Sequence, residues 1–210
     1  MIQKHNVLDE LRERYARSKA EIQAKLVEFT LIPRDEYFYE LCFCVCTPQS
    51  KARHALRVVE ILKSRNFIAD PFDAADVLGQ KEHYIRFHNQ KALNLLAVQS
   101  RWSEIEVQIL RESSVEEKRD WLAANLRGIG MKEAAHFLRN IGIFGVAILD
   151  RHILKHLLEV QVIDEYPESM TRKDYLEIET KWKLFCEKVG MSMEEMDLLF
   201  WSMETGEILK

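Results

Sequence analysis

LRGIGMKEAAHFLRNIGIFGVAILDRHI, residues 126–153, decides how this chain folds. Gly128 and Gly130 stand two apart between a helical run over Val115–Leu126 and another over Lys132–Asn140. Such a Gly-x-Gly link lets backbone N–H groups come close to a phosphate, so the stretch predicts a helix-hairpin-helix. Lys132 falls in the first turn of the second helix, where the positive end of the helix dipole favours a neutral amine over an ammonium. A neutral lysine is a nucleophile. Eighteen residues later Asp150 precedes the apolar-periodic positions Ile153, Leu154, Leu157 and Leu158, which predicts an N-cap whose carboxylate stays ionised.

The surroundings of that stretch are helical and charged. With 210 residues, 47% hydrophobic content, seven Gly and four Pro, the chain can bury a core and suits one or two small domains. The charged start (Lys4, Asp9, Glu10, Arg12, Glu13, Arg14) argues against a signal peptide, and no apolar run approaches the ~18 residues of a membrane span. A cytoplasmic protein with no membrane partner is expected. The net charge of -4 hides an asymmetry: residues 51–101 carry nine Lys/Arg against five Asp/Glu, residues 119–156 six against three, and residues 157–210 six against thirteen. The glycine hairpin therefore lies in a basic region, which suits an anionic partner.

Outward from the hairpin, helical spacing predicts a long amphipathic helix over 3–29 (Leu8, Leu11, Tyr15, Ile22, Leu26, Phe29) and a buried helix over YFYELCFCVCT ending near Pro48. Further helices are expected over Lys51–Ser64, 86–99, Glu104–Leu110, Arg151–Leu158, Arg172–Val189 and Met193–Thr205, with a short turn at Ala74–Leu78. No strand pair, repeat or linker is visible. Cys42, Cys44, Cys46 and Cys186 lack metal-ribbon or disulfide spacing and read as core packing. His152 and His156, four apart, have no third ligand placed by sequence, so no metal is expected.

LRGIGMKEA resembles the LPGVGxKxA hairpin of the endonuclease III superfamily of DNA glycosylases, and FGVAILDRHI resembles its FGxPxxxVDTHV segment with the same lysine-to-aspartate gap. CTPQSKA resembles the superfamily's LSxQxxD segment and RFHNQKALNL its YNSKAxNI helix. The four segments keep the family order over residues 42–153. Arg127 stands where the superfamily usually has proline, exchanging stiffness for a charge beside the phosphate. Many relatives hold an iron-sulfur cluster on four C-terminal cysteines; Cys186 alone cannot form that set. The short length and the ending, with Trp201 nine residues before a terminal Lys210, resemble the small, cluster-free second family of 8-oxoguanine DNA glycosylases.

That resemblance implies a chemistry and a set of roles. The enzyme extrudes a damaged nucleotide from duplex DNA, and Gln49, at the family's inserting position, fills the hole. Lys132 attacks C1′ and displaces the base while Asp150 stabilises the positive charge growing on the sugar. The resulting iminium acidifies the C2′ proton, so the 3′ phosphate is eliminated. Gly128, Gly130, Arg127 and His152 would hold DNA; Trp201, Lys210 and Phe87 would line the pocket for the base. 8-Oxoguanine differs from guanine by an N7–H where guanine has an acceptor, which a fixed carbonyl can read.

The expected fold is all-α with two helical subdomains, residues 34–144 and residues 1–33 plus 145–210, and an active site in the cleft between them. The expected partner is double-stranded DNA containing 8-oxoguanine, bound by a monomer without cofactor or metal and associated with the nucleoid through that DNA. Two alternatives remain: the same fold acting on oxidised pyrimidines, and a non-catalytic protein that uses the hairpin only to grip DNA.

Overall fold

The apolar run that opens at Tyr37 is helical over Tyr37–Cys46, and every residue after Tyr37 in it is buried. In this computed structural model residues 2–208 are described, with side chains from Val7 onward. Their α-helices are α1 (Ile2–Thr30), α2 (Tyr37–Cys46), α3 (Ala52–Ser64), α4 (Ala75–Leu78), α5 (His88–Ser100), α6 (Trp102–Leu110), α7 (Val115–Asn125), α8 (Met131–Asn140), α9 (Arg151–Glu159), α10 (Arg172–Val189) and α11 (Met193–Thr205). No strand occurs among the described residues. No described helix is long and apolar enough to cross a membrane.

The chain divides into two compact units, Ile32–Ile141 and Met1–Leu31 with Gly142–Lys210. In the first, α2 is the central helix, covered by α3, α5 and α8. Its cysteines form no disulfide and are buried, as small core residues. Its single carboxylate, Glu40, is buried and accepts a hydrogen bond from Asn140 Nδ2 at 3.1 Å, so a buried polar contact keys α2 to the end of α8. In the second unit α11 packs on α1, α9 and α10. Capping boxes at Ser192–Glu195 and Thr171–Asp174 start α11 and α10 by satisfying their first free N–H groups.

Two helix starts differ from the periodicity. α5 begins at His88 because Phe87 sits in the left-handed region (φ 60), which breaks the helix expected from residue 86. α6 begins at Trp102, two residues early, because Trp102 turns inward to meet the Phe38 ring edge-on at 5.3 Å.

Candidate active site

In the unit Ile32–Ile141, buried Leu126 and Ile129 pin the loop between α7 and α8, leaving Arg127, Gly128 and Gly130 exposed. The loop closes with Ile129 N–H donating to Leu126 O at 3.2 Å. Gly128 has φ +84, and a Cβ there would lie 2.2 Å from Asn94 Nδ2. Asn94 is buried and accepts from Gln90 Nε2 at 3.0 Å, while Gln90 Oε1 accepts from Arg127 Nη2 at 3.2 Å. The hairpin thus rests on the face of α5. Gly128→Ala combines left-handed strain of about 1–2 kcal/mol with a displaced Asn94; the expected result is a melting temperature several degrees lower and weaker duplex binding, checked by thermal denaturation and a DNA titration.

Lys132 is in the first turn of α8, part-exposed, with Nζ 2.9 Å from Glu133 Oε1. Glu133 Oε2 accepts from Gly130 N–H at 3.1 Å. One carboxylate therefore caps the helix start and pairs with the lysine beside it. The signal for Glu133 in the sequence is Gly-x-x-Glu at a helix start, the reciprocal half of a capping box.

Gln49 is exposed with φ 55, in a turn closed by Ser50 N–H to Thr47 O at 2.9 Å. It does not cap α3, whose N-cap is Lys51. Lys91, unremarked in the sequence, donates to Cys46 O at 2.7 Å and Pro48 O at 2.6 Å. Burial brings its pKa down from the ordinary lysine value to about 8. Phe87 is 54% exposed, with the Arg86 guanidinium 4.9 Å from its ring centroid. Its neighbour Arg86 donates its N–H to Ser50 Oγ at 3.0 Å, so Phe87 flanks the Gln49 turn.

The second unit holds Asp150. The residues before it are irregular, and three of their N–H groups are held by side chains: Gly145 by Glu194 Oε1 at 2.7 Å, Ala147 by Glu179 Oε1 at 2.6 Å and Leu149 by Tyr175 Oη at 3.3 Å. Asp150 N-caps α9 as expected, but through one oxygen: Oδ1 accepts from His152 N–H at 2.8 Å and Ile153 N–H at 2.9 Å. Oδ2 takes no hydrogen bond among the described residues. The cap fixes the carboxylate and leaves an oxygen for another partner.

His152 Nδ1 lies 3.3 Å from Glu204 Oε2, its Nε2 accepts from Arg151 Nε at 3.1 Å, and its ring meets Trp201 edge-on at 5.4 Å. His156 is buried, stacked on Phe200 at 4.7 Å, with Nδ1 2.7 Å from Glu159 Oε2 and Nε2 3.1 Å from Glu204 Oε1. Glu204, held low by its hydrogen bond to Lys155, joins α9 to the end of α11 and so backs Trp201. Trp201 Nε1 is buried and lacks a hydrogen-bond partner among the described residues. Lys210 lies outside the described residues. No cluster of three or more metal-binding side chains occurs among the described residues.

The family model described as 8-oxoguanine DNA glycosylase (Ogg-HhH) matches residues 22–191. The chain belongs to the 8-oxoguanine DNA glycosylase family. It is 38% identical to the 8-oxoguanine DNA glycosylase/AP lyase of Fusobacterium nucleatum over all of both chains. It is 35% identical to that of Methanocaldococcus jannaschii over 84% of each. The crystal structure of the M. jannaschii 8-oxoguanine DNA glycosylase superposes with a TM-score of 0.86 at 32% identity, covering 98% of this chain and 97% of that one. The same archaeal glycosylase/lyase in complex with a 15mer DNA containing 8-oxoguanine gives a TM-score of 0.84 at 31% identity, over 97% and 99% of the two chains. The stretch matched by the family model includes Gln49, the hairpin, Lys132 and Asp150; Trp201 lies beyond it.

Proposed function

We propose that this protein is a bifunctional base-excision repair enzyme that removes 8-oxoguanine from double-stranded DNA and then nicks the abasic site through a Schiff base on Lys132. The observation that carries the reading is similarity along the whole chain to a protein named for both activities. Two local features support it: Lys132 at the start of a hairpin helix, and the Asp150 carboxylate fixed through one oxygen only.

The residues divide the work as follows. The hairpin N–H groups at Gly128 and Gly130 and the guanidinium of Arg127 hold phosphates, assisted by His152. Gln49 occupies the space vacated by the extruded nucleotide, and Phe87, which flanks its turn, lines the pocket for the base. Trp201 offers a stacking face to the base and its free Nε1–H a donor, and Lys210 closes the pocket edge. Lys132 Nζ, having shed a proton, bonds to C1′ as the C1′–N9 bond breaks and the base leaves with its electron pair and a proton. The ionised Asp150 opposes the positive charge that develops on the sugar. Ring opening gives an iminium, C2′ loses a proton, and the electrons of that C–H bond expel the 3′ phosphate. Hydrolysis of the iminium returns the lysine. The enzyme works as a monomer in the cytoplasm, on the nucleoid.

Borohydride reduces such an iminium to a stable amine, so the protein mixed with 8-oxoguanine duplex and borohydride is expected to become covalently linked to DNA. A duplex carrying an oxidised pyrimidine is expected to give little adduct. Adduct on the pyrimidine lesion alone would move the substrate assignment. Duplex binding without adduct or base release on any lesion would reduce the protein to a DNA-gripping module.

A further inference from the structure

We propose that Lys91 is a positioning residue that sets the Gln49 turn, and through Ser50 and Arg86 the adjoining Phe87 turn, in the shape that enters the duplex. The inference rests on the proposed role of Gln49 in filling the hole left by the extruded nucleotide. Lys91 is only 6% exposed, rare for a lysine, and no carboxylate lies within ion-pair distance of it among the described residues. All three donors of its ammonium are directed at one short segment: Cys46 O at 2.7 Å, Pro48 O at 2.6 Å and Ser50 Oγ at 3.4 Å. These contacts span more than forty residues of sequence, so they join α5 to the end of α2.

The chemistry suits the place. Cys46 is the last residue of α2, and its carbonyl is among those a helix leaves without a backbone partner, at the negative end of the dipole. Pro48 has no N–H, so the segment has few ways to tie itself. Gln49 must then hold a left-handed conformation that non-glycine residues adopt only when their surroundings impose it. Lys91 supplies that constraint by fixing the carbonyls on either side of Thr47. Ser50 extends it, since its hydroxyl also accepts from Arg86 N–H, immediately before Phe87, which is left-handed and exposed as well. Two exposed side chains in uncommon backbone conformations are thus held from one buried ammonium.

The decisive comparison is between a substrate that needs the turn and one that does not. Excision of 8-oxoguanine from duplex DNA opens a hole for Gln49; nicking of a preformed abasic site in single-stranded DNA does not. Lys91→Met is expected to lower single-turnover duplex excision on the order of 30-fold, the scale of a misplaced positioning group. Single-strand nicking should stay within about threefold of wild type, because Lys132 is untouched. In a Gln49→Ala background the same substitution should cost about threefold or less, since both changes disable one device. Lys91→Arg, which keeps the charge but not the compact fit, should recover part of the loss.

Equal loss on both substrates, or losses that multiply with those of Gln49→Ala, would overturn the proposal. So would an unchanged duplex rate. If Lys91→Met does not fold by circular dichroism, Ser50→Ala serves instead: a duplex-only loss of about fivefold supports the node, and no loss overturns it. Wild-type protein that fails to nick abasic DNA would defeat the functional reading itself, a result separable from all of these.

Discussion

Replacing Lys132 by glutamine is expected to abolish borohydride trapping and to slow strand nicking by on the order of 1000-fold or more, the scale seen when a covalent nucleophile is removed. An amide nitrogen cannot form the iminium, so neither reduction nor elimination has an intermediate to act on. The fold should tolerate the change: glutamine is about as good a helix former as lysine, and the Glu133 ion pair it loses is part-exposed and adds little to stability. Melting temperature and affinity for a duplex with a stable abasic analogue are therefore expected to stay near wild type. An adduct of undiminished yield in Lys132→Gln would show that another amine is the nucleophile.

Much of this was legible from residues whose constraints are local. Gly128 and Gly130 announce a hairpin because a left-handed backbone against a neighbouring side chain favours glycine, and Gly128 is in that position against Asn94. Asp150 ahead of an amphipathic run announces a helix start, and α9 begins at Arg151. The apolar run in α2 has no polar face to set a period, yet its length and the proline after it suffice for a buried helix. The hidden features depend on distant partners. Lys91 occupies a helix position that reads as ordinary solvated lysine until the carbonyls at Cys46 and Pro48 are brought to it. Glu179 and Glu194 look like surface acids, but they satisfy backbone N–H groups 32 and 49 residues away and so hold the approach to Asp150. Gln49 and Phe87 are left-handed without being glycine, which no local propensity announces. His156 has only the spacing from His152 to mark it in the sequence; its stacking on Phe200 depends on a helix more than forty residues away.

Asp150 separates the structural and chemical uses of one carboxylate, and a pair of substitutions is expected to pull them apart. Asparagine caps helices as well as aspartate does, so Asp150→Asn should keep the bonds to His152 N–H and Ile153 N–H and melt near the wild-type temperature. It removes the charge proposed to oppose the growing positive sugar, and base release should fall by roughly 100- to 1000-fold, the range for deleting one preorganised electrostatic partner of a transition state. Asp150→Ala removes cap and charge together. It should show a similar loss of rate and also about 1 kcal/mol of stability, seen as a melting temperature lower by roughly 2–4 °C for a chain of this size. Full activity in Asp150→Asn would mean that the carboxylate acts only as a cap, and that the positive charge on the sugar is met by something else. A large loss in Asp150→Asn with an unshifted melting curve would assign the rate to the charge. Both capping bonds go to Oδ1, which leaves Oδ2 without a hydrogen bond among the described residues and open to another partner, so the two substitutions read two separate oxygens.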